Sequence, residues 1–128
     1  MAVNVCIIGC GFMGKQHAQA WKDRGDCDVV AVCDPFEEWR LELAEEMSAV
    51  PYEHWEEAIE HEGLDVVSVC TPTFLHKEIT CFAASLGRHV LCEKPLAKTL
   101  EEADAIRLLW AYHRFRQSIS CYQEAAWH

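Results

Sequence analysis

The strongest constraint on this chain lies at its start, where an apolar run from Ala2 to Ile8 passes directly into Gly9-Cys10-Gly11-Phe12-Met13-Gly14. The run AVNVCII shows almost no alternation of apolar and polar residues, which suits a strand buried on both faces of a parallel sheet. Three glycines at this spacing suit a tight turn at Gly9, bare backbone facing a ligand at Gly11, and a helix pressed against the strand at Gly14. Apolar spacing places that helix over Lys15 to Lys22. The glycine pattern alone is common. Its meaning comes from having a strand before it and a helix after it, because a helix N-terminus offers free N–H groups to a phosphate.

The same alternation continues along the chain. Cys27 to Cys33 (CDVVAVC), Leu64 to Cys70 (LDVVSVC) and His89 to Cys92 read as buried strands. Ala49 to Tyr52 is a weaker strand that Pro51 confines to an edge, and Ser118 to Tyr122 is a further candidate. Phe36, Trp39, Leu43 and Met47 share one helical face, as do Leu75, Ile79, Phe82 and Leu86, with Gly87 as the stop. Trp55, Ala58 and Ile59 mark a shorter helix ending near Gly63. A capping box from Thr99 to Glu102 opens a last helix, with Ala103, Ile106, Trp110 and His113 on its apolar stripe. Strands alternating with helices imply right-handed crossovers and an α/β fold, a doubly wound parallel sheet.

Composition narrows the partners. A chain of 128 residues with 51% apolar residues is long enough for one domain and one core. Its net charge of -10 argues against nucleic acid or an anionic membrane surface. No leader-like start or spanning apolar run is present, so a cytoplasmic location is expected. The eight cysteines form no CxxC pair, and most fall in apolar segments. They read as reduced, packed thiols, with no metal site expected. Cys10 lies at a helix N-terminus, where a thiol pKa tends to fall; it reads as a neutral packing choice, with oxidation sensitivity as the lesser reading.

The second strand ends at Asp34, twenty residues after Gly14. An acid at that place accepts hydrogen bonds from the hydroxyls of an adenine ribose. The plainer alternative is that Asp34-Pro35 only starts a turn. No Arg or Lys follows within five residues, so a 2′-phosphate would meet only negative charge and NAD is expected over NADP. Enzymes that use S-adenosylmethionine also combine a glycine turn with this acid, so further residues must separate the two.

Two segments do so: Thr71-Pro72-Thr73-Phe74-Leu75-His76 after one strand, and Cys92-Glu93-Lys94-Pro95 after the next. In this order and spacing the motifs resemble the N-terminal, NAD(P)-binding Rossmann domain of the Gfo/Idh/MocA oxidoreductases. The resemblance covers essentially the whole chain and includes His17 in the first helix. It implies a cofactor site that begins with Gly9, Gly11, Phe12, Met13, Gly14 and Asp34. Thr71, Pro72, Thr73 and His76 would line the crevice, and Glu93 and Lys94 would lie near the nicotinamide. Lys94 would be the catalytic acid–base group, its pKa lowered by burial, and the Lys94–Pro95 bond would be cis.

The resemblance also implies that residues 1–123 form the NAD(P)-binding domain and 124–128 a tail, at the crossing to a second, mostly antiparallel domain. That second domain would close the pocket over a sugar, cyclitol or related polyol. Self-association as a dimer is expected, with Trp110, Phe115, Tyr122 and Trp127 as the apolar surface. The alternative function is a stand-alone NAD-binding or redox-sensing module without catalysis.

Overall fold

The computed structural model describes residues 2–114. The chain alternates as expected: β1 (Val3–Ile8), α1 (Phe12–Asp23), β2 (Cys27–Cys33), α2 (Glu37–Met47), β3 (Val50–Tyr52), α3 (Trp55–Ile59) and β4 (Val66–Val69). A short 3-10 turn (Thr73–Leu75), α4 (His76–Ser85), β5 (His89–Cys92) and α5 (Leu100–Arg114) complete it. The five strands form one sheet in the order β3-β2-β1-β4-β5, every pair parallel. This is a Rossmann-like, doubly wound sheet. β3, with Pro51, takes the edge position.

Residues alternate across the sheet into two cores. Val5 and Ile7 of β1 face one layer, where they meet Ala18 and Trp21 of α1 and Leu43 and Ala44 of α2. Cys6 and Ile8 face the other, with Ala58 of α3, Ile79 and Ala83 of α4, and Ile106 and Trp110 of α5. Burial on both faces explains why the strands carry no polar alternation.

Several expected elements shift. α1 begins at Phe12 rather than Lys15, because the turn itself winds directly into the helix. β4 is shorter than Leu64 to Cys70. The stripe on α2 divides: Leu43 is buried, whereas Phe36 and Trp39 remain about half exposed beside the glycine turn. In α5, Thr99 Oγ1 accepts from Glu102 N–H at 3.2 Å, but the Glu102 carboxylate accepts from Lys98 N–H at 3.1 Å instead of Thr99. Trp110 is 8% exposed, so it packs in the core and is no part of an exposed patch. The side chain of His113, and Phe115, Tyr122, Trp127, the Ser118 to Tyr122 strand and the 123/124 boundary, lie outside the described residues. Among the described residues no helix is long and apolar enough to cross a membrane.

Among Gly9, Gly11, Gly14, Gly25 and Gly63, Gly14 has the least room for a side chain. A Cβ there would lie 1.8 Å from the carbonyl oxygen of Gly9, so only glycine lets α1 sit this close to the end of β1. Gly14→Ala is expected to cost about 3 kcal/mol or more, at the upper end for overpacking. Gly25→Ala meets no neighbour and is strained only by a φ of +78°. It should cost about 1–2 kcal/mol. Urea unfolding compares the two, and equal losses would contradict the contact.

Candidate cofactor site

The strands end level with one another. Ile8 pairs in register with Cys33 on one side and Val69 on the other, and Val69 pairs with Cys92. The ladder carries one step past each end: Gly9 N–H donates to Cys33 O at 2.7 Å, Cys70 N–H to Ile8 O at 2.7 Å, and Glu93 N–H to Val69 O at 2.9 Å. The glycine turn, Asp34, the Thr71 loop and Glu93-Lys94 therefore leave the sheet along one edge. Strand order reverses between β1 and β4, and ligands of such sheets bind in the crevice at that point.

Gly9 turns with φ +97°, and a Cβ there would stand 2.6 Å from Cys70 O. Gly11 differs, because a Cβ there would meet only the Trp39 ring, at 3.5 Å. The protein's own packing accepts a methyl at Gly11, so the space suits something outside the chain. α1 has no side-chain cap and no acid in its first turn, while α2 opens with Glu37 and Glu38 and α3 with Glu56 and Glu57. Phe12 and Met13 are exposed at this end. An uncapped N-terminus behind bare backbone fits a pyrophosphate.

Cys10 follows the packing reading, and the lowered pKa of a helix terminus is not seen. Its thiol turns into the core and donates to Cys33 O at 3.4 Å, and burial, with Asp34 as the next cause, pushes its pKa up to about 12. Desolvation outweighs the helix terminus, so this is not a reactive thiolate.

Asp34 makes the turn-starting bond and is also tied to the glycine turn. Its Oδ1 accepts from Phe36 N–H at 2.8 Å, the turn-starting bond, and its Oδ2 accepts from Cys10 N–H at 2.9 Å. Each carboxylate oxygen can accept twice, so capacity remains for a ribose diol. Arg40 is a residue that the five-residue window missed. One turn of α2 brings its Nη1 back to Asp34 O at 3.4 Å and Pro35 O at 3.2 Å.

At the other end of the crevice, a chain of hydrogen bonds joins three elements. Glu93 Oε1 lies 2.7 Å from His17 Nε2, and His17 Nδ1 lies 3.0 Å from Ser68 Oγ. An ionised carboxylate only accepts, so Nε2 carries a proton toward Glu93, and in the neutral ring Nδ1 accepts from the Ser68 hydroxyl. Ser68 in turn accepts from Trp21 Nε1–H at 2.9 Å. Glu93 Oε2 accepts from Lys94 N–H at 3.2 Å. Both oxygens of Glu93 thus brace the turn that presents Lys94. Ser68 and Trp21 were not expected here; a serine inside the VVSV strand was the available signal.

His76 is 1% exposed and bridges two loops, with Nδ1 2.8 Å from Pro95 O and Nε2 2.9 Å from Thr71 O. Both ring nitrogens face backbone carbonyls, and the neutral ring donates to one of them, which sets His76 between the two crevice walls. Thr71 and Thr73 stay partly accessible on the loop, with Pro72 exposed between them. The Lys94–Pro95 bond is cis, as the resemblance implies. Lys94 is exposed, so the burial expected for it is not supplied by the described residues.

Sheet order, bare glycine turn and strand-end acid together define a dinucleotide-binding α/β domain. Residues 3–114 match the profile of an oxidoreductase family with an NAD-binding Rossmann fold, Gfo/Idh/MocA, and the chain belongs to this family as its NAD-binding domain. It is 37% identical over 113 residues to levoglucosan dehydrogenase of Pseudarthrobacter phenanthrenivorans, covering 81% of this chain and 29% of the relative. It is 40% identical over 103 residues to D-glucoside 3-dehydrogenase of Escherichia coli, covering 79% of this chain and 29% of that one. The solved structure of levoglucosan dehydrogenase in complex with NADH superposes with a TM-score of 0.80 at 32% identity, over 85% of this chain and 32% of the other. The chain thus spans less than a third of each relative's length.

The His17 hydrogen bond holds the Glu93 carboxyl below its ordinary value of 4.5. A depressed folded pKa adds stability that is present above the unfolded value and lost as pH falls through the folded one. Wild type is therefore expected to be more stable than Glu93→Gln at neutral pH. The gap should close as pH falls below about 4.5, the carboxylate range. Denaturant midpoints measured from pH 7 to pH 3 check this; a gap that widens on acidification would contradict it.

Proposed function

We propose that this chain is the cofactor-holding part of an oxidoreductase that moves hydride between a nicotinamide and a sugar, cyclitol or related polyol. The observation that carries the reading is the convergence along one sheet edge of the bare glycine turn, the Asp34 carboxylate and the braced Glu93-Lys94 turn. The dehydrogenase names of the relatives support the same substrate class.

The dinucleotide supplies the hydride acceptor or donor. Gly9, Gly11 and Gly14 shape the turn that would receive its pyrophosphate, at the start of α1 where the N–H groups of Phe12 and Met13 have no intrahelical partners. Asp34 accepts from its adenosine ribose, and the Thr71-Pro72-Thr73 loop lines the crevice between the two ends. Lys94, as the free amine, would take up the proton of the substrate hydroxyl as hydride leaves the carbon, a form favoured once the rest of a longer protein buries it, and Glu93 fixes the backbone from which Lys94 projects. A single acid–base group contributes about 100- to 10,000-fold. Holding the substrate against the nicotinamide contributes about 7–11 kcal/mol, and no described residue closes over Lys94 to do that. The substrate wall is assigned to the rest of a longer protein. Redox sensing through Cys10 is disfavoured by its buried, high-pKa thiol.

Asp34→Ala is expected to weaken NADH binding by about 1–3 kcal/mol, the loss of charge-assisted hydrogen bonds. Calorimetric titration reads the effect, and equal affinities for the two proteins would sink the cofactor assignment.

A further inference from the structure

Resting on the cofactor reading of Asp34, we propose that Trp39 is a specificity-determining residue that keeps a 2′-phosphorylated dinucleotide out by filling the space beside that acid. Selection of NAD over NADP in this fold is ordinarily argued from charge at the end of β2. Here charge alone leaves an opening, because Arg40 stands one helical turn beyond Asp34 and a guanidinium is well suited to a phosphate.

The geometry closes that opening in two ways. Trp39 is 45% exposed although it lies on the apolar stripe of α2, so its ring is not spent on the core. It spans instead toward the glycine turn, with ring atoms 3.5 and 4.0 Å from where a Gly11 Cβ would stand. Phe36 holds it there, edge to face, at a centroid distance of 5.1 Å and an interplanar angle of 75°. The indole therefore bridges Phe36 and Gly11, and the Asp34 carboxylate accepts from the N–H of Phe36 and from that of Cys10, the chain neighbour of Gly11. A 2′-hydroxyl needs only a lone pair of Asp34; a 2′-phosphate needs volume that the indole occupies. Arg40, the cation that would reward a phosphate, has its Nη1 drawn to the carbonyls of Asp34 and Pro35. Exclusion by an obstructing group is a common route to specificity and requires no tighter contact with the preferred ligand.

The test separates volume from charge. In the full chain, Asp34→Ser removes the repulsion, and NADPH affinity is compared between Asp34→Ser alone and Asp34→Ser with Trp39→Ala. The second change should tighten NADPH binding by about tenfold relative to NADH, and Trp39→Phe in its place should give a smaller gain, as expected for an obstruction relieved by degrees. Circular dichroism and thermal unfolding of each variant read whether the fold is retained, and the Phe variant keeps an aromatic packed on Phe36 should the Ala variant unfold. An unchanged NADPH-to-NADH ratio, or no measurable NADPH binding once Trp39 is shortened, overturns the proposal while NADH binding by wild type leaves the cofactor reading standing. Failure of wild type to bind NADH overturns the cofactor reading and this proposal with it.

Discussion

The arrangement depends on how closely α1 approaches the end of β1. With the Gly9 carbonyl 1.8 Å from where a Gly14 Cβ would be, no other side chain allows the helix to start where it does. That start leaves the first turn of α1 aimed along the sheet edge with no side chain or acid capping it. The anion-receiving character of the site is thus a by-product of packing, since the contact that seats the helix also exposes its unsatisfied N–H groups.

Register carries this local event across the sheet. Because Ile8, Cys33, Val69 and Cys92 lie in one row, each following residue emerges at the same height. Asp34 and Glu93 then stand on opposite flanks of the turn, and each is tied to it by a different route. Asp34 reaches it through Cys10 N–H, and Glu93 reaches the helix behind it through His17. Two acids serve different ends: Asp34 accepts from the N–H groups of Cys10 and Phe36 with acceptor capacity left for a ligand, while Glu93 joins His17 of α1 to the N–H of Lys94.

The parallel sheet was legible in the sequence because strands buried on both faces leave long apolar runs, and because each run ends in a residue with a marked role. The strand-end motifs were legible as positions, yet their division of labour was not. Nothing in E-K-P tells that Glu93 points back to α1, nor that His76 has both ring nitrogens on carbonyls. Those facts depend on which residues other elements bring near. Trp39 and Arg40 were misjudged for the same reason. The spacing put Trp39 on the apolar face of α2 and a linear window put Arg40 out of reach, while the fold leaves Trp39 half exposed against Gly11 and turns Arg40 back to the Asp34 carbonyl. At Cys10 the packing reading holds, because the rule for thiols at helix termini assumes exposure and this thiol is buried.

The central claim is that one sheet edge forms a single dinucleotide crevice from the glycine turn to the Glu93-Lys94 turn. Amide chemical-shift mapping of the full chain titrated with NADH tests it most directly. The account predicts saturable shifts at Gly9 to Gly14, Asp34, Thr71, Thr73, Glu93 and Lys94, with β3 and the start of each strand unmoved. Shifts confined to the opposite end of the sheet, or none at saturating NADH, would contradict it.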